Sequence, residues 1–186
     1  MRLMLKSYYR QYEQYTKIRT MFRNNLISLL ELTFPDANRL FCSPRRSDGS
    51  EKWIDFIASF WHCECIQHLS KKTFLSRYQN WCKKHGYYYR EKKAIEIYTL
   101  ACSRIAILPK TAAPKLLVEQ AVSQFNETAA DLTLLKQQMQ ELAAFLPAYP
   151  IVIQLYGLGS ALGRQLLAKI VNVRRFHSQS AFVVFR

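Results

Sequence analysis

The chain has 186 residues, with 27 Lys and Arg against 13 Asp and Glu and 49% hydrophobic side chains, a balance that excludes intrinsic disorder and places it among folded, soluble proteins. Its length suits one ordinary domain or two small modules, able to bury roughly two thirds of the unfolded surface without metal or disulfide staples. A formal net charge of +14 points to an anionic partner, nucleic acid or membrane.

The five cysteines (Cys42, Cys63, Cys65, Cys82, Cys102) are odd in number and irregularly spaced, and Lys6 and Arg10 interrupt the only N-terminal apolar stretch, so no secretory signal is expected. Reduced thiols in a cytoplasm follow as the expectation. The uncharged window from Leu142 to Gly163 is long enough to span a bilayer, but Pro147, Pro150, Gln154, Gly157 and Gly159 argue against a transmembrane helix, and no membrane association is expected.

Only 5 Gly and 6 Pro interrupt a chain whose apolar residues recur three and four apart, which predicts an all-α fold. From Leu3 to Thr33, the residues Leu5, Tyr8, Tyr12, Tyr15, Phe22, Leu26 and Leu29 form one face and Arg2, Lys6, Arg10, Lys17, Arg19 and Arg23 decorate the others, with Phe34-Pro35 as the stop. Residues 35–49 are the most loop-like stretch. A helix is expected to restart near Asp48 or Ser50 and run through Trp53, Ile54, Ile57, Trp61 and Ile66. Ser70 then caps a helix bearing Phe74, Leu75, Tyr78, Trp81 and Cys82, closed by Lys83, Lys84, His85 and Gly86. A further helix is expected from about Arg90 to Ile107.

The longest pattern starts at Pro114. Val118, Phe125, Leu132, Met139 and Leu146 fall at strict seven-residue spacing, and Ala121, Thr128, Leu135 and Leu142 follow three residues behind, which predicts a coiled-coil arm through which the chain would self-associate or pack lengthwise on another helix. Three regions follow: a basic helical module over 1–110, the arm over 111–146, and a C-terminal helix-hairpin-helix stub over 147–186, in an elongated arrangement. Residues 1–93 hold 18 basic and 8 acidic side chains, 94–146 hold 4 and 5, and 147–186 hold 5 and none, so the two ends are the anion-facing regions.

The most specific stretch is the last forty residues. Tyr149-Pro150 opens an apolar segment to Tyr156, and Gly157-Leu158-Gly159-Ser160 then leads into Ala161-Leu162-Gly163-Arg164, the order of a helix, a glycine hairpin and a second helix. Glycines there free backbone N–H groups to meet phosphate, and Arg164 and Lys169 add charge, with Arg174 and Arg175 beyond them. Gly157, Gly159, Ser160, Gly163, Arg164, Lys169, Arg174 and Arg175 are therefore the candidate nucleic-acid-binding residues, against the alternative of a helix-turn-helix corner in a core.

Leu146-Pro147-Ala148-Tyr149-Pro150-Ile151-Val152, Gly157-Leu158-Gly159, Leu167-Ala168-Lys169-Ile170 and Val173-Arg174-Arg175-Phe176-His177-Ser178 together resemble the start of the C-terminal domain of the IS-one-ten (IS-one-sixteen, IS-nine-oh-two) transposases. Arg19-Thr20-Met21-Phe22-Arg23-Asn24-Asn25-Leu26, with Leu29-Leu30 and Phe34-Pro35, resembles the family's helix after its nuclease domain. The resemblance implies transposition of an insertion sequence and DNA recombination, a RuvC-like domain with a magnesium-binding DEDD carboxylate set, a nucleophilic serine, and guidance by a structured RNA. The family usually has Pro before Gly-x-Gly, where Tyr156 stands, and an Ile-Gly-Asp-Ile run where Ile170-Val171-Asn172-Val173 stands. Set against the family, the chain would begin past the carboxylate domain and end short of the serine, so an internal fragment with no catalytic residue and no cofactor of its own is expected.

The residues themselves offer no replacement active site. His62-Cys63-Glu64-Cys65 and His68 lack the Pro-Cys-x-x-Cys partner of a zinc deaminase, and buried thiols with surface histidines are expected instead of a metal site. Tyr8-Tyr9-Arg10 with Tyr12 and Tyr15, and Tyr87-Tyr88-Tyr89-Arg90, interleave rings with cations in a way that suits stacking on unpaired bases, although helix-packing tyrosines explain them more simply. Arg45-Arg46, Lys71-Lys72, Lys83-Lys84 and Lys92-Lys93 read singly as solvated faces, but their sum favours an anionic partner. The expected function is DNA binding, with a guide RNA and a second copy of the chain as further partners. A stand-alone basic nucleic-acid-binding protein and a coiled-coil assembly module are the alternatives.

Overall fold

The computed structural model describes residues 2–42, 46, 49–147, 149–154, 163 and 167–169. Every regular element among them is helical: α1 (Arg2–Thr33), a 3-10 turn (Ala37–Arg39), α2 (Lys52–Ser59), α3 (Glu64–Gln67), α4 (Lys71–Lys84), α5 (Glu91–Ser103), α6 (Ala112–Ala144) and α7 (Tyr149–Gln154). No described helix is long and apolar enough to cross a membrane. The chain divides into two compact units, Met1–Lys17 with Asp131–Arg186, and Ile18–Ala130, so α1 and α6 each contribute to both.

In the unit formed by Ile18–Ala130, the core is aromatic. Phe34, Phe56, Phe60, Phe74 and Tyr78 are fully buried, and Phe56 stacks on Phe60 at 4.9 Å while meeting Trp81 edge-on at 5.8 Å. Around this core the helix ends are held by long-range hydrogen bonds. The last carbonyls of a helix lack intrahelical donors. In α1 the Leu32 carbonyl accepts from the Ile107 and Leu108 N–H groups, both at 2.9 Å, and that of Thr33 accepts from Cys63 at 3.1 Å.

These bonds explain two departures from the sequence reading. A helix running through Trp61 to Ile66 would send the Cys63 and Glu64 N–H groups to the carbonyls of residues 59 and 60. The Cys63 N–H goes instead to Thr33, and that of Glu64 to Nδ1 of His62 at 3.2 Å, so α2 stops at Ser59 and α3 begins at Glu64. Likewise α5 ends at Ser103 rather than near Ile107, because Ile107 is committed to Leu32 and the Gln67 amide donates to the carbonyls of Ala101 and Arg104, both at 2.7 Å. Where the signals are local, α4 has its expected ends. Ser70 Oγ accepts from the Thr73 N–H at 3.1 Å, and Gly86 at φ +66° closes the helix through N–H bonds from Gly86 to Lys83 and from Tyr87 to Cys82.

The seven-residue series of α6 is buried within the chain. Val118 and Phe125 join the aromatic core of this unit, and Met139 and Leu146 pack with Leu5, Tyr9 and Tyr149 in the other. Leu132, at 4% exposure, completes the series, so the residues that would face a partner helix are covered. Leu116, Leu117 and Leu134 remain exposed on the same helix.

Arg19, expected among the solvent-facing cations of α1, is 5% exposed. Its guanidinium donates to the Gly49 carbonyl and to Glu51 Oε1, both at 3.0 Å, and lies 4.4 Å from the Phe125 ring centroid. The second Glu51 oxygen accepts from Trp53 Nε1 at 2.7 Å. Removing one partner of a buried pair strands the other charge at a cost of roughly 3 kcal/mol. Arg19→Met is therefore expected to lose about that much stability in urea unfolding followed by circular dichroism, whereas Arg10→Met, on the exposed side of α1, is expected to stay within about 0.5 kcal/mol of the parent.

Candidate nucleic-acid interface

The turn held by Arg19 feeds directly into a cavity of about 680 Å³ in the same unit. Within it the Arg46 N–H bonds to the Ser50 carbonyl at 3.0 Å and the Gly49 N–H to the Arg46 carbonyl at 2.9 Å, with Gly49 at φ +87°, a conformation that favours glycine. The Arg46 side chain then donates to the carbonyls of His85 at 2.9 Å and Gly86 at 3.2 Å, and its guanidinium sits 3.9 Å from the Tyr87 ring centroid. It thereby caps the carbonyl end of α4 and presents a cation at the cavity wall.

Tyr87 is fixed from both ends. Its ring stacks on Trp81 at 5.3 Å, and its hydroxyl donates to Asp55 Oδ2. Across from it, Lys52, the first residue of α2, places Nζ 4.9 Å from the Tyr87 centroid and 5.3 Å from that of Phe41. Lys93 Nζ lies 5.5 Å from the Phe41 centroid and pairs with Glu96 at 2.7 Å. Arg90 lies 5.7 Å from the ring of Tyr88, which is 79% exposed.

Among the described residues, five cations (Arg46, Lys52, Arg90, Lys92, Lys93) and one carboxylate (Glu96) thus line a single space. Burial pushes the Lys52 ammonium below the ordinary lysine range; Lys93, Arg90 and Arg46 push it the same way, while Cys82 opposes. No described carboxylate lies within ion-pair distance of Lys52; ring faces are what its ammonium meets. Chemically, the arrangement suits a ligand with negative charge at one end and a flat ring at the other.

The sequence pattern had marked Arg45-Arg46, Lys92-Lys93 and the Tyr87-Tyr88-Tyr89-Arg90 run, and the structure brings Arg46, Tyr87, Tyr88, Arg90, Lys92 and Lys93 into this one cavity. Lys52 and Phe41 carried no such signal. Lys71 and Lys72 line a second cavity of about 410 Å³ with Tyr89, whereas Lys83 and Lys84 are simply exposed. In the other unit, Tyr8 and Tyr12 pack against the cluster around Leu5 and Met139.

Of the hairpin candidates, Gly163 is helical and buried, and Lys169 is helical and exposed with Nζ 5.8 Å from the Tyr9 ring. Gly157, Gly159, Ser160, Arg164, Arg174 and Arg175 lie outside the described residues. The His62 ring is fully buried rather than at the surface: Nδ1 accepts from the Glu64 N–H at 3.2 Å, which leaves Nε2 to donate to the Leu108 carbonyl at 3.0 Å. Among the described residues no three His, Cys, Asp or Glu side chains gather as metal ligands.

No family model matches the chain, and neither a curated protein nor a solved structure does.

Tyr78 forms the cavity floor, fully buried, and burial raises its phenol far above the usual 10.0. In the other unit, burial and the neighbouring Glu13 raise Tyr9 to about 12. A phenol whose folded pKa exceeds its unfolded one stabilises the fold fully below the unfolded value and loses that contribution as pH rises through the folded value. Helix content is therefore expected to hold to about pH 10 and to fall above it, in step with late tyrosinate absorbance at 295 nm, with Tyr78→Phe moving the loss to higher pH. Complete tyrosine ionisation near pH 10 with intact circular dichroism would contradict this burial.

Proposed function

We propose that this chain binds nucleic acid, DNA foremost, as part of an insertion-sequence transposase of the IS-one-ten type. The observation that carries the binding is the cavity in which Arg46, Lys52, Arg90 and Lys93 meet the rings of Phe41, Tyr87 and Tyr88. Phosphate supplies the anion that such cations await, and bases supply the flat faces. The net charge of +14 supports the same partner class. The transposase assignment rests on the residues of 146–178 that resemble that family, and DNA transposition and recombination are the processes it would serve.

Within this reading, the Gly157–Arg164 segment is a second phosphate contact, supported by its sequence, and a structured guide RNA is a further partner. Assembly of several copies through α6 would have to use residues such as Leu116, Leu117 and Leu134, since Val118, Phe125, Leu132, Met139 and Leu146 are already covered. Neither a catalytic residue nor a cofactor is assigned.

Fluorescence anisotropy against labelled nucleic acid over a range of salt tests the proposal. With about five phosphates neutralised, the log–log slope of affinity on salt is expected on the order of −4. Arg90→Gln combined with Lys92→Gln is expected to flatten it by about 1 to 2, and Arg164→Ala by about 1. Absence of binding at low ionic strength would overturn the proposal.

A further inference from the structure

Resting on that nucleic-acid reading, we infer that the cavity between α2, α4 and α5 accepts one unstacked nucleotide of a single strand, its phosphate among Lys52, Arg90 and Lys93 and its base against Tyr88 and Phe41.

Volume, charge and rings converge on it. The volume, about 680 Å³, falls in the range that encloses compact ligands, and a nucleotide matches both its charge and its flat faces. The starts of α2 and α5 reach the cavity through Lys52 and through Arg90, Lys92 and Lys93. These like charges, gathered around one space, repel one another, and an arriving anion relieves that repulsion. Tyr78 lines the cavity as a fully buried ring.

The rings decide between single strand and duplex. Tyr88, 79% exposed, and the half-buried Phe41 offer faces, and a paired base presents only its edges to the groove. A strand rather than a free nucleotide is favoured by continuity. Tyr89, next in the same extended segment, lines the second cavity of about 410 Å³ with Lys71 and Lys72, where the neighbouring nucleotide would lie.

The test uses the full chain and three labelled probes: a 12-nucleotide oligothymidylate, the matching oligouridylate, and a 12-base-pair duplex. At least one single strand is expected to bind about tenfold more tightly than the duplex. Tyr88→Ala is expected to lower single-strand affinity about tenfold while leaving duplex affinity unchanged, which a general loss of charge or fold would not do. Lys52→Gln is expected to weaken single-strand binding and to flatten its salt slope by about 0.7. Lys17→Gln, an exposed cation outside this unit, is expected to change neither by more than about twofold. Duplex binding equal to both single strands, or Tyr88→Ala indistinguishable from the parent, overturns the nucleotide cavity and leaves general nucleic-acid binding standing. Failure to bind any probe overturns both.

Discussion

A charge buried in the first helix governs the larger unit of this chain. The Arg19 guanidinium leaves water for three partners: the Gly49 carbonyl, the Glu51 carboxylate and the face of Phe125. Its desolvation is offset only if all of them hold position, so a buried pair of this kind favours one arrangement over others more than it adds net stability. The consequence travels a short way along the chain. Fixing Gly49 and Glu51 fixes the turn that carries Arg46 and the start of α2 that carries Lys52. The structural anchor and the candidate interface are therefore consecutive parts of one segment.

Some cations of this unit are paired with carboxylates: Arg104 with Asp36 at 2.6 Å, Lys115 with Glu119 at 3.3 Å and, in the cavity, Lys93 with Glu96 at 2.7 Å. Arg46 and Lys52 lie on aromatic faces, which attract a cation through the ring quadrupole without cancelling its charge. Rings therefore hold these side chains in place and leave their field directed into the open space. Among the described residues, five cations beside one carboxylate repel one another, a cost that an arriving anion lowers. Stored repulsion of this sort marks a binding surface better than charge count does, because a solvated face spreads its charges apart.

What could be read from the sequence follows the range of the forces involved. The ends of α4 were legible because Ser70 and Gly86 act within a few residues of themselves, and Phe34-Pro35 stops α1 for an equally local reason. The break between α2 and α3 was not, since it depends on the Thr33 carbonyl and the His62 ring taking donors that a continuous helix would have used internally. Arg19 was misplaced because it interrupts a run of otherwise apolar or aromatic positions, Leu5, Tyr12, Leu26, at the same seven-residue spacing, where a cation reads as surface. The period of α6 was plain, but a period does not say whether the covering helix belongs to the same chain. At the interface, the aromatic and basic runs were visible as residue types, whereas their meeting was not: Arg46 and Tyr87 are far apart in sequence and touch only through the fold. Lys52 and Phe41 had no local mark at all.

Photocrosslinking addresses the central claim most directly, because it reports which side chains touch a base. A single-stranded oligonucleotide carrying 5-iodouridine would be irradiated with the full chain and the adducts located by mass spectrometry. Adducts on Phe41 or Tyr88 are predicted, and they should disappear when unlabelled single strand competes. Adducts confined to residues remote from the Arg46–Lys52 turn and the Tyr87–Arg90 segment would contradict the account.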